Sequence, residues 1–190
     1  MKMTRNVMSG VVLAGVVMAG AQSAMMSMQS NPMVGGMPMM ASKNIVQNAV
    51  ESADHTTLVA AVKAAGLVDA LSGKGPFTVF APTNAAFSGL PKGAVENLLM
   101  PENMKSLQGV LTYHVVSGKM DYNAIAQAIK AGGGSAKLKT LNGGWLWAMW
   151  NGPRNIVLKD ENGNVSAIST YDVMQSNGVI HVVDHVLMPK

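Results

Sequence analysis

Seven methionines crowd residues 22–42: Met25, Met26, Met28, Met33, Met37, Met39 and Met40. Thioether sulfur is a soft donor that favours Cu(I), and the Met26-x-Met28 and Met37-x-Met39-Met40 spacings let two or three sulfurs reach one ion along a flexible backbone. The chain has no cysteine, so methionine sulfur is its soft donor, and it is concentrated here. Three chemistries are open to the segment: Cu(I) ligation, an adaptable apolar strap or linker against a neighbouring domain, and sacrificial oxidation to sulfoxide. Pro32, Pro38 and the Gly35-Gly36 pair oppose a continuous helix, and residues 22–42 carry no charge. The expectation is a mobile or loosely docked arm.

Histidine offers a poorer ligand set. A strand expected from Val179 to Met188 puts His181 and His185 on one face but four residues apart, about 13 Å at the usual strand rise, which one ion cannot bridge. No cysteine and no paired carboxylate stand near His114 in sequence, so a zinc site is not indicated. Catalytic patterns are missing too: no Gly-x-Ser-x-Gly elbow, no close carboxylate pair, and no dinucleotide or phosphate glycine pattern after a strand. Gly73-Lys74-Gly75-Pro76 lacks the Ser or Thr and the upstream glycine of a phosphate loop and is expected to be a turn. The chain is therefore expected to be non-enzymatic.

The elements that would position these residues begin after an export leader. Lys2 and Arg5 precede an apolar run from Val7 to Gly20 that ends in Ala19-Gly20-Ala21, the pattern of a signal peptide over residues 1–21. The run is too short to span a bilayer, and no later segment is a candidate, so the processed chain is expected to be periplasmic or secreted and not membrane-spanning. Without Lys2 and Arg5, twelve basic side chains face ten acidic ones. The lysines are scattered without interleaved aromatics, which argues against nucleic acid as a partner.

Residues 44–190 have the length of one domain. Its first half is expected to be helical: Asn44 caps a helix carrying Ile45, Val46, Ala49 and Val50, Asp54–Thr57 open a second that ends at Gly66, and Leu67–Leu71 add a further turn. Phe77–Phe80 is expected as a strand stopped by Ala81-Pro82, with Thr83 or Asn84 capping the next turn. A helix from Glu102 to Leu111 leads into Tyr113-His114-Val115-Val116, expected as a strand, and Asp121 caps a helix through Ala131. Strands then follow at Leu138–Leu141, Trp145–Trp150, Asn155–Lys159, Val165–Ser169 and Val179–Met188, separated by Asn-Gly-type turns. Helices followed by an antiparallel meander make an α+β fold.

Two sets of side chains stand out on these elements. Alternation places Trp145, Trp147 and Met149 on one strand face, where a tryptophan ladder could stack on sugar rings, meet a protein, or lie under the methionine-rich arm. Asp184 is expected as a buried acceptor, in one polar network with Thr83, Asn84 and His114.

Three segments carry a family resemblance: Phe77-Thr78-Val79-Phe80-Ala81-Pro82-Thr83-Asn84-Ala85-Ala86-Phe87, Tyr113-His114-Val115-Val116, and Asn177-Gly178-Val179-Ile180-His181-Val182-Val183-Asp184-His185-Val186-Leu187-Met188-Pro189. In order and approximate spacing they resemble the signature segments of the fasciclin-type (FAS1) domain. The resemblance covers roughly residues 44–189. It implies a compact antiparallel β-sandwich or wedge flanked by short helices, and an extracytoplasmic module for adhesion at a cell surface or matrix, with a protein or glycan partner. It also implies a role for the Tyr-His motif in adhesion, which points to Tyr113 and His114 as partner-contact residues, beside the reading of His114 as a hydrogen-bonded core residue. A periplasmic copper protein built on the methionine arm is the alternative.

Overall fold

The computed structural model describes residues 31–190. The leader, Met25, Met26 and Met28 lie outside the described residues.

The helices form where the sequence supplies caps. The Asn44 side chain accepts from the Gln47 N–H while Gln47 reaches back to the Asn44 N–H, a reciprocal cap that starts α1 (Ile45–Glu51). A single 3₁₀ turn at Ala53–His55 leads into α2 (Thr56–Ala64), and α3 (Val68–Ser72) follows Gly66, whose φ of 67° reverses the chain. Thr83 caps α4 (Asn84–Ser88), and Asp121 caps α7 (Tyr122–Ala131). Between them lie α5 (Ala94–Leu98) and α6 (Met104–Tyr113), the latter entered through a 3₁₀ turn opened by Pro101.

Seven strands form one sheet in the order β4-β3-β9-β8-β7-β6-β5. These are β3 (Phe77–Pro82), β4 (Val115–Ser117), β5 (Ser135–Lys139), β6 (Trp145–Trp150), β7 (Ile156–Lys159), β8 (Val165–Gln175) and β9 (Gly178–Val183). Strands β5 to β8 are the expected meander. The β3–β9 pair is parallel, and every residue of β9 is buried, as a central strand covered on both faces must be. A bridge between Val116 and Thr140 ties β4 to the end of β5, so the sheet almost closes on itself. Two apolar cores result. Val79, Ala81, Ile180 and Val182 face the helical side with Leu58, Leu107 and Leu111. Phe80 and Val183 face the other side with Leu146, Ile156, Leu158, Ile125 and Ile129.

Several boundaries differ from the sequence expectation. β3 continues through Ala81 and Pro82, which pair with Val182 and Val183; proline is tolerated because it ends the strand. Tyr113 is the last residue of α6, not part of a strand. β9 stops at Val183, so His185 lies beyond it and the strand spacing assumed for His181 and His185 does not apply. β8 runs to Gln175, with register shifts between Ile168 and Thr170 and between Thr170 and Val173 that let one long strand serve both cores.

The described part of the methionine segment is docked. β1 (Met33–Val34) and β2 (Met37–Pro38) form a hairpin around Gly35-Gly36. A Cβ at Gly35 would lie 2.5 Å from the Ser52 hydroxyl oxygen, so only glycine permits this approach. Val34 and Met39 are buried in the helical-side core. Asn31 bonds both the carbonyl and the N–H of Met174, and buried Asn48 bonds the N–H and carbonyl of Met40 and the side chain of Gln175. The compact unit thus begins at Asn31, ahead of the boundary at residue 44 expected from sequence.

Candidate binding surface

Tyr113 is fully buried at the end of α6. Its hydroxyl donates to the Trp145 carbonyl at 2.7 Å and accepts from the Glu161 N–H at 3.1 Å. Burial pushes the phenol up to about 12, so it stays a donor at any ordinary pH. The ring fits because residue 144 is glycine: a Cβ there would meet the Tyr113 ring at 2.8 Å.

His114 is also buried. Nδ1 lies 2.8 Å from the Val110 carbonyl, and Nε2 accepts from the Leu187 N–H at 3.0 Å. One nitrogen must therefore carry the proton and the other must not, which fixes a neutral ring with hydrogen on Nδ1. Burial agrees, lowering its pKa to about 4. Neither residue of the Tyr-His motif is at the surface. Of the two readings of the motif, the surface-contact one gives way and the hydrogen-bonded core one describes the geometry: Tyr113 locks α6 to the β6 and β7 ends of the sheet, and His114 locks it to the C-terminal segment.

The expected polar network also dissolves into separate fastenings. The Thr83 hydroxyl caps α4 through the Ala86 N–H. Asn84 bonds Ala53, Thr56 and Thr57, tying α4 to α2. Asp184 is exposed; it accepts from Ser166 and the Ala167 N–H and pairs with His185 at 2.8 Å. Among the described residues no hydrogen bond joins any two of Thr83, Asn84, His114 and Asp184, because β9 ends at Val183 and the chain bends at Asp184, leaving the carboxylate exposed.

The remaining histidines are engaged as well. His181 Nε2 meets the Met120 carbonyl at 2.8 Å and Nδ1 accepts from the Asp172 N–H at 3.3 Å, while His55 Nδ1 bonds the Ser52 hydroxyl at 2.9 Å. Among the described residues no group of three or more His, Asp or Glu converges as a metal set. In the methionine hairpin Val34 pairs with Met37 and Met33 with Pro38, so Met33 and Met37 point from opposite faces, and Met39 is buried. Met33, Met37 and Met40 remain exposed.

The tryptophans are placed differently. Trp145 and Trp147 are half-buried on the outer face of β6, while Leu146 and Ala148 fill the core behind them. Strand register surrounds them with charge. Lys139 of β5 lies opposite Trp145, and Trp147 has Lys137 on one side and Lys159 on the other. Lys137 Nζ sits 4.2 Å from the Trp145 ring centre and 5.7 Å from that of Trp147; Lys139 Nζ is 5.9 Å from Trp145. Exposed Val165 of β8, paired with Lys159, continues the row. Beside it Trp147, Met149, Lys159, Glu161 and Gly163 line a depression of about 390 Å³. Its floor is firm: buried Asp160 accepts from the N–H groups of Asn162, Asn164 and Met188 and from the Asn164 side chain. Glu161 accepts from the Trp145 N–H at 3.1 Å.

The sequence reading found the tryptophans but missed Lys137, Lys139, Lys159, Asp160 and Glu161. The Lys-x-Lys spacing of 137 and 139 shows one strand face, and Asp160-x-Asn162-Gly163-Asn164 signals a side-chain-closed turn, but only strand register brings both to the tryptophans.

Comparison with known proteins agrees with this architecture. A model of the fasciclin domain matches residues 53–189. The chain is 45% identical over 149 residues to Protein sll1483 of Synechocystis sp., covering 76% of this chain and 73% of that protein. It is 36% identical over 132 residues to pig transforming growth factor-beta-induced protein ig-h3, covering 70% of this chain and 17% of that protein. The cell surface glycolipoprotein MPB83 of Mycobacterium bovis is 35% identical over 123 residues, 65% of this chain and 48% of that one. Among solved structures, a FAS1 domain pair from the insect cell adhesion molecule fasciclin I superposes with a TM-score of 0.69 at 18% identity, covering 77% of this chain and 51% of that one. With its α+β architecture, its signature segments in place and the family match spanning most of its length, this chain belongs to the fasciclin (FAS1) domain family.

Proposed function

We propose that this protein is an exported, non-enzymatic binding module, periplasmic or secreted, that attaches to a protein or glycan at a cell surface or matrix through the outer face of β5, β6 and β7. The observation that carries the reading is the contrast between two aromatic sites. Tyr113 and His114 are sealed in, whereas Trp145 and Trp147 lie on a rigid sheet face open to solvent. Large rings held by a sheet lose little side-chain freedom on binding, which suits a contact surface. No helix among the described residues is long and apolar enough to cross a membrane. A relative named as a cell surface glycolipoprotein, MPB83, supports an extracytoplasmic place for the module.

The test is retention of the purified full chain on cells of its source, comparing the native protein with Trp147→Ala and with a substitution on another face, Lys63→Gln. Retention that drops with Trp147→Ala alone supports the reading. Equal retention of all three proteins removes this face as the contact surface.

A copper role for the methionine segment is a second reading, favoured by the exposure of Met33, Met37 and Met40. Anaerobic Cu(I) competition of the full chain against the variant Met33→Leu, Met37→Leu, Met40→Leu tests it: stoichiometric binding lost in the variant would make these exposed methionines ligands.

A further inference from the structure

The outer face of β5–β6–β7 resolves into a small grid. One row runs Lys139, Trp145, and Glu161 beyond the end of β7; the next runs Lys137, Trp147, Lys159, Val165. Successive rows on a strand are about 6.8 Å apart. The two tryptophans are consecutive aromatic platforms with ammonium groups on them: Lys137 Nζ lies over the Trp145 ring, so a sugar ring stacking there displaces it toward the ring's edge. Among the described residues the ion pairs are Lys43–Glu51 and His185–Asp184, and neither belongs to the grid. Lys137, Lys139 and Lys159 are exposed and carry no paired carboxylate. Three like charges gathered on one face repel one another mildly in water, and an anionic partner relieves that repulsion.

We propose that this face binds an acidic polysaccharide, with consecutive sugar rings stacked on Trp145 and Trp147 and their acid groups on Lys137, Lys139 and Lys159. The proposal rests on the binding-module reading above and names its ligand class. Sugar rings present C–H faces that pack on indole, and the Lys137 ammonium, moved from over the Trp145 ring to its edge, meets a carboxylate or sulfate carried at the sugar's edge. The depression next to Trp147 adds a carboxylate acceptor in Glu161, set by its bond to the Trp145 N–H. A hydroxyl-bearing sugar can donate to that carboxylate, while a phosphodiester backbone carries few hydroxyls to do so. The face therefore favours an acidic glycan over a nucleic acid.

The test uses the purified full chain and four probes: polygalacturonate, dextran sulfate, uncharged dextran and single-stranded DNA. Tryptophan fluorescence and retardation in a polysaccharide-containing gel are the readouts. At least one of the two acidic polysaccharides should bind and perturb the tryptophan emission, and the pair tells whether carboxylate or sulfate is preferred. Dextran should bind more weakly, and added salt should weaken the acidic ligand. The triple variant Lys137→Gln, Lys139→Gln, Lys159→Gln should lose about tenfold in affinity, the scale of several partly exposed charges acting together. Because those side chains are exposed, its circular dichroism should be unchanged. Trp147→Ala should lower affinity and the emission response together, and Trp147→Phe should restore part of the affinity.

Binding of neither acidic polysaccharide overturns the proposal, as does equal binding of single-stranded DNA or an unaltered affinity in the triple lysine variant. If cell retention still depends on Trp147 while no polysaccharide binds, the module reading stands and its partner is a protein. If the native chain is not retained on cells at all, the polysaccharide titration, made with purified components, still decides the ligand.

Discussion

The Tyr113 hydroxyl donates to the carbonyl of Trp145 at 2.7 Å, so a residue at the C-terminal end of a helix sets the backbone of the strand that displays both outward tryptophans. The same oxygen accepts from the Glu161 N–H and so fixes the neighbouring turn. Tyr113→Phe keeps the ring and removes both bonds, leaving a carbonyl and an N–H without their partner. The expected cost is about 1–3 kcal/mol, read as a lower urea midpoint with unchanged slope. The tryptophan emission should shift as well. An unchanged midpoint would show that the hydroxyl is not the fastener described.

His114 gives a pH signature. Its folded pKa, about 4, lies below the ordinary value of 6.5, so the unfolded chain takes up the proton first. Stability is full above about pH 6.5, falls as pH drops through the interval between the two values, and levels off below about 4. His55 and His181 shift in the same direction, each chiefly through burial. The His114 contribution is roughly 3 kcal/mol across that window. Urea unfolding at a series of pH values should show this loss, with a shallower slope in His114→Gln. Equal slopes in the two proteins would contradict a neutral buried His114.

Asn48 holds the methionine strap. It bonds both backbone groups of Met40 and the Gln175 side chain from a fully buried position. Asn48→Ala should destabilise by about 1–3 kcal/mol, and hydrogen exchange should rise around Met40. If exchange there is unaffected, the strap is held by Val34 and Met39 instead.

Met39 contributes through packing. Truncating a buried methionine leaves a cavity, and Met39→Ala should cost about 2 kcal/mol or more, whereas Met33→Ala, at an exposed position, should stay within about 0.5 kcal/mol. Thermal unfolding of the two variants separates a structural strap from a solvated arm: equal effects would contradict it.

Gly144 is a tight approach to the Tyr113 ring. Gly144→Ala should disturb the tryptophan face without touching any ligand-contact side chain, seen as an altered emission spectrum and weaker retention on cells. A variant indistinguishable from the native protein in both would show that the ring can yield.

Local signals carried much of this fold into the sequence. Asn44, Thr83 and Asp121 cap helices where their side chains face free N–H groups, and β6 begins and ends at Trp145 and Trp150 as alternation and the flanking turns indicate. These are short-range effects, complete within a few residues. Burial of Tyr113 and His114 was less legible, because a Tyr-His pair looks the same in a sequence whether it faces solvent or the core. Asp184 misled for a related reason: an apolar run suggested that β9 continues, while the pairing that ends it at Val183 belongs to other strands.

The sequence by itself determined the α+β class, the helix starts, the meander and the membership of the signature segments, since each depends on neighbours along the chain. Only the tertiary structure decided that the methionine segment from Asn31 onward is part of the domain, that the Tyr-His motif is an internal clasp, and that Lys137, Lys139 and Lys159 surround the tryptophans. The physical reason is register: hydrogen bonds between strands separated in sequence fix which side chains share a face, and a slip of one residue would turn every one of them to the other side.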